Sequence, residues 1–67
     1  MGATEDFRSL IEFAIREEQK AQRIYEDLAA KAADDYARAI LEGLREQEVQ
    51  HEQKLRSLLA SIDPSKA

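Results

Sequence analysis

The stretch Leu41-Glu42-Gly43-Leu44-Arg45-Glu46-Gln47-Glu48-Val49-Gln50-His51-Glu52-Gln53-Lys54-Leu55 carries the repeat that decides the fold. Leu41, Leu44, Glu48, His51 and Leu55 follow one another in alternating steps of three and four, which places them on one side of an α-helix. Extended both ways, the stripe reads Ala37, Leu41, Leu44, Glu48, His51, Leu55, Leu58, Ile62. The N-terminal half holds a matching one: Phe7, Ile11, Ala14, Glu18, Ala21, Tyr25, Leu28, Ala32. Two such stripes predict two helices packed along coiled-coil-like seams.

Local signals divide the chain between them. Thr4 is a candidate N-cap, with Glu5 and Asp6 in a first turn whose dipole favours negative charge. Ala33-Asp34-Asp35 is the natural break, where Asp34 or Asp35 caps a second helix, and Asp63-Pro64 cannot extend that helix. The reading is one helical-hairpin unit: helix 1 about 4–32, turn about 33–35, helix 2 about 35–61, tail 62–67. Gly43, inside the second helix, costs about 1 kcal/mol relative to alanine. It either admits a close neighbour or is simply tolerated.

A 67-residue chain is marginal alone and usually needs a disulfide, a metal or a partner. With no cysteine, disulfides and thiolate metal sites are excluded, which leaves metal and association. Leu10, Phe13, Ile15 and Ile24 flank the first stripe, and Ile40 and Leu59 the second; in a monomer they would be exposed. Two hairpins sharing these faces complete a four-helix bundle. The expected fold class is therefore all-α, an antiparallel two-helix hairpin that dimerises. Tyr36, beside the turn, is expected to pack.

The net charge of −4 opposes phosphate backbones and mildly favours cations, so no nucleic-acid partner is expected. No run approaches the roughly 20 apolar residues of a membrane span, and no signal peptide is recognisable. A soluble, cytoplasmic protein without a membrane partner is the expectation.

Only Glu18, Glu48 and His51 interrupt the apolar stripes near their middle. Glu48-x-x-His51 alone is weak evidence: with nine glutamates in 67 residues, a Glu three places before the single His arises by chance roughly one time in seven. Three observations add weight. Both residues fall on a seam where an unpaired carboxylate is costly to bury. Glu18 falls on the other seam at the same level, about 15 residues before the turn as Glu48 is after it, so both stand roughly 23 Å from it. Tyr25, two turns from Glu18, could bond a ligand carboxylate or could be a core tyrosine. A dimer would supply two isolated glutamates and two Glu-x-x-His pairs, the ligand set of carboxylate-bridged di-metal bundles. Four carboxylates would balance two divalent cations. Oxygen and imidazole donors suit iron, manganese or zinc. Glu17 and Glu52 point off the seam and are read as solvated, with guidance of iron entry as the lesser alternative.

Glu18-x-x-Ala21-x-x-x-Tyr25 followed by Leu44-x-x-x-Glu48-x-x-His51, with Ser9–Ile15 and Tyr25–Ala29 around them, resembles the half-repeat of rubrerythrins in the ferritin-like superfamily. The usual members carry two halves; one half per chain is similar to the two-helix encapsulated ferritins, whose ferroxidase centre forms between subunits. The resemblance implies iron, two ions per dimer, on Glu18, Glu48 and His51, with Glu18 as outer or bridging ligand, Glu48 as bridge, His51 as terminal ligand and Tyr25 steadying a carboxylate. It implies an enzyme oxidising Fe(II) with dioxygen or peroxide for iron storage or detoxification. It also implies a homodimer or larger homo-oligomer, with a protein shell or nanocompartment as a further partner. Two alternatives stand beside it: a peroxide reductase fed by an external electron donor, since a rubredoxin-type donor needs cysteine, and a non-enzymatic assembly module whose polar trio sets register.

Overall fold

A computed structural model describes residues 3–63, with side chains from Glu5 onward. Two helices, α1 (Ala3–Lys31) and α2 (Asp35–Ile62), run antiparallel and pack along their length, giving a body of 49 × 17 × 14 Å. α1 begins at Ala3, so Thr4 lies within it rather than ahead of it as a cap. Pro64 and the rest of the tail beyond Asp63 lie outside the described residues.

The turn needs no glycine, because no described residue has a positive φ. Asp34 is the N-cap: its backbone is extended, and its Oδ1 accepts from the Ala37 N–H at 2.7 Å. Arg38, one turn into α2, reaches back to donate to the Ala32 carbonyl at 3.3 Å and pairs with Asp35 at 2.8 Å. That satisfies a carbonyl which the end of α1 would otherwise leave without an intrahelical partner. At the open end the Asp63 N–H closes on the Leu59 carbonyl, and Arg8 pairs with the Asp63 carboxylate at 3.0 Å. The two ends of the hairpin are thus pinned by different chemistry: a capped turn and a cross-helix ion pair.

Between them the apolar core is small and lies toward the open end. Ile11, Ile15 and Leu59 are buried, with Leu55 and Ile62 packed against them; toward the turn only Ala29 is buried. Ile15 and Leu59, expected as exposed flanks, are therefore core, whereas Phe7, Leu28 and Leu58, expected on the seams, are exposed. Tyr36 is 79% exposed instead of packed.

The reason is rotational. Both helices carry two adjacent apolar faces, each with steps of three and four. In α1 one face runs Ile11, Ile15, Glu18, Gln22, Tyr25, Ala29, and these positions turn to α2. The next face runs Phe7, Leu10, Ala14, Ala21, Ile24, Leu28 and is largely open. The expected stripe takes residues alternately from both, so it bisects them, and α2 shows the same pattern. No helix among the described residues is long and apolar enough to cross a membrane.

Truncating a core side chain should be felt. Leu59→Ala and Ile15→Ala are each expected to lower the stability of the chain by about 2–5 kcal/mol in urea unfolding followed by circular dichroism. A loss below about 1 kcal/mol would contradict this placement of the core.

Candidate metal centre

Glu18 lies midway along α1 and Glu48 and His51 one turn apart on α2, in helices with no break near the site. The hairpin brings all three to one level. His51 Nδ1 stands 3.4 Å from Glu18 Oε2 and 3.7 Å from Glu48 Oε1. One ligand-type atom from each residue lies within 4.8 Å of the other two, close enough to share an ion. Among the described residues this is the group of acidic and histidine side chains gathered in that way.

Their burial is uneven. The Glu18 and Glu48 side chains are 23% and 19% exposed, whereas His51 is 52% exposed. The two carboxylates belong to the faces that meet across the hairpin, and the imidazole belongs to the neighbouring open face. The group therefore opens to the same side as the exposed apolar residues.

Electrostatically the arrangement is tense. Glu18 Oε2 is buried with no hydrogen-bond partner, since the His51 nitrogen near it lacks hydrogen-bonding geometry. Two ionised carboxylates cannot bond to each other; a hydrogen bond between them needs a proton on one. The Glu18 carboxyl is accordingly held above its ordinary range. The main cause is the hydrogen bond its protonated form makes to Glu48, followed by burial and repulsion from the Glu48 charge, with His51 pulling the other way.

Tyr25 is half-buried further along α1 and hydrogen-bonds neither carboxylate in the single chain. Glu17 stays half-exposed beside Lys20 at 3.2 Å. Glu52 is not solvated. Its side chain is only 16% exposed and accepts from Gln22 at 2.7 Å, Arg56 at 2.8 Å and Gln19 at 3.1 Å. Those bonds, that from Gln22 first, hold its pKa below the ordinary range. The spacing of Gln19 and Gln22 on one helix against Glu52 and Arg56 on the other could have signalled this cluster, but all four residue types read as surface.

Two carboxylates and an imidazole on an all-helical hairpin, with an orphaned buried oxygen among them, define a candidate carboxylate–histidine metal centre. The chain belongs to the rubrerythrin family, whose model matches residues 3–67. No curated protein and no solved structure matches it significantly. Membership makes this a ferritin-like protein of a family that usually binds iron through such groups.

The raised Glu18 pKa has a stability consequence. The folded chain holds that proton more tightly than the unfolded one, so the stabilising effect of protonation is complete below the ordinary carboxylate pKa and is lost as pH rises through the raised value. Glu18→Gln should therefore raise the melting temperature of metal-free protein at pH 7. The gain should vanish at pH values below the ordinary carboxylate range. A gain of equal size at both pH values would point to packing rather than charge.

Proposed function

We propose that two copies of this chain pair into a four-helix bundle around two metal ions, and that the protein oxidises Fe(II) with dioxygen or peroxide. The observation that carries the reading is the gathering of Glu18, Glu48 and His51 at one level, on the line that bisects the packed and open faces. In a bundle that line points at the axis, which each helix shares with two neighbours.

The donor set fits the ion. Carboxylate oxygens and an imidazole suit iron, with manganese and zinc also accepted, and Glu18 Oε2 is the buried atom that a cation would satisfy. One hairpin offers one imidazole and two carboxylates, which is half of a two-ion set. The half-exposed His51 faces the side where the second hairpin would supply the rest. Four carboxylates from two chains then neutralise two divalent ions.

The apolar surface supports the pairing. Phe7, Leu10, Leu28, Ile40 and Leu58 are all exposed in the single chain, Leu10 at 65%. A hairpin with a 49 × 17 Å broad side presents an area on the order of the ~800 Å² that each partner buries in a stable complex.

When bound, iron supplies the electrons for the oxidant. The residues of the chain do the rest. Glu18 and Glu48 gather and neutralise the cations, His51 offers neutral nitrogen donors, and the apolar faces exclude water around them. Iron storage or detoxification is the physiological role this suggests, and a protein shell is a further partner that the chemistry permits without requiring.

Metal titration with native mass measurement tests the centre. The expected result is one two-ion site per dimer, lost in Glu48→Ala and in His51→Ala. No uptake above background, or uptake unchanged in those variants, would sink the reading. Leu10→Glu with Leu28→Glu tests the pairing: the variant should run as a monomer and lose stoichiometric binding with all three ligands intact. Oxygen uptake during Fe(II) oxidation, compared with peroxide as oxidant, separates ferroxidase from peroxide-reductase chemistry.

A further inference from the structure

The Glu52 cluster has no part in the proposed chemistry, yet its placement follows that of the metal group. Glu52 is the residue after His51, about 100° further round α2. Its partners on the other helix, Gln19 and Gln22, are the residues one and four places after Glu18. The same two turns of α1 and the same turn of α2 therefore carry both the candidate ligands and a hydrogen-bonded cluster, with Gln22 on the packed face beside Glu18 and with Gln19 and Glu52 each one residue round from a ligand. The cluster joins the helices directly, with Gln22 at 2.7 Å and Gln19 at 3.1 Å, and Arg56 holds the same carboxylate at 2.8 Å.

We propose that Glu52 is a positioning residue: its cross-helix hydrogen bonds fix the register and rotation of α2 that set His51 and Glu48 level with Glu18. The alternatives on the page are weaker. The ligand group supplies no registering bond while both of its carboxylates are ionised, because they face each other there and Glu18 Oε2 has no partner. The apolar core lies toward the open end, and its contacts are non-directional, so they set register less sharply than hydrogen bonds, which weaken steeply with misalignment. The Arg8–Asp63 pair and the Asp34 cap act at the two ends, and the Arg45–Glu26 pair across the helices is exposed and long at 3.5 Å. A slide of one helical turn, roughly 5.4 Å, would leave the Glu52 carboxylate half-buried without its α1 donors. Buried polar groups are best attested in this register-setting role.

As it concerns metal, the proposal rests on the reading of the preceding section, so the experiment separates the two. The chain has no native cysteine, which makes Glu18→Cys with Glu48→Cys a clean reporter of level. Intrachain disulfide formation in this pair should slow about 10-fold when Glu52→Ala is added, and Glu52→Gln, which keeps an acceptor oxygen, should restore most of the rate. In the parent sequence, Co(II) serves as probe. Glu52→Ala should weaken its binding roughly 10-fold, the low end for groups that support metal ligands, and change its visible absorption, again with recovery in Glu52→Gln.

Cross-linking that does not depend on residue 52 overturns the positioning role, whatever happens to the melting temperature. Cross-linking that depends on it while the parent chain takes up no Co(II) overturns the metal reading and leaves the positioning role standing. Should Glu52→Ala fail to fold, Gln19→Ala with Gln22→Ala removes the α1 half of the cluster and leaves the Glu52–Arg56 pair in place, and the same two readouts apply.

Discussion

Glu18 stands fifteen residues before Ala33 and Glu48 fifteen residues after it, and the two helices that meet at that turn are unbroken. Everything else about this molecule depends on that equality. One residue added to either helix would move its ligand by about 1.5 Å along the axis and 100° around it, from the shared edge onto a side or out to solvent. Contacts elsewhere serve the same constraint. The Asp34 cap and the Arg38 bond to Ala32 define where the count begins, Arg8 and Asp63 close the far end, and the Glu52 bonds lie at the level of the ligands themselves.

The packing explains why so little of the chain is buried. A helix that meets one neighbour needs one apolar face, and each of these helices has two. The hairpin uses the faces of Ile11, Ile15 and Leu59 for itself and leaves those of Leu10, Leu28 and Leu58 open. Leaving half of its apolar pattern in water, the hairpin buries little for its size, and that open face is what supports the proposed pairing. Gly43 fits this picture. A side chain there would meet nothing within 4 Å in the single hairpin, so the packing of the hairpin gives no reason for glycine.

Much of this was legible in the residues, and the failures share a cause. Steps of three and four gave two helices, the acidic pair after Ala33 gave the turn, and the polar breaks gave Glu18, Glu48 and His51 as one level. The family resemblance rested on those residues and is matched over residues 3–67. Which face turns inward was not legible, because two adjacent faces are apolar and periodicity reports only their mean direction. That is why periodicity alone puts Ile15 and Leu59 outside and Leu58 inside, the reverse of their burial. Glu52 was missed for another reason. Whether a glutamate is solvated or held by three donors depends on the rotation of both helices, which the sequence of one helix does not contain.

Rotation and charge finally bear on each other. Turning each helix so that its bisecting stripe faces a bundle axis brings the carboxylates of one hairpin toward those of the next. Without cations this adds like charges to a site where the Glu18 carboxyl is already held above its ordinary range. With cations the same approach is attractive, because each ion is shared between oxygens that otherwise repel. Under the proposed pairing, metal binding and association are thus two sides of one equilibrium: whatever ligand prefers the paired state must stabilise it, and pairing must tighten the ligand by the same factor. Under that pairing, the open apolar face and the orphaned Glu18 oxygen would be satisfied by the same event.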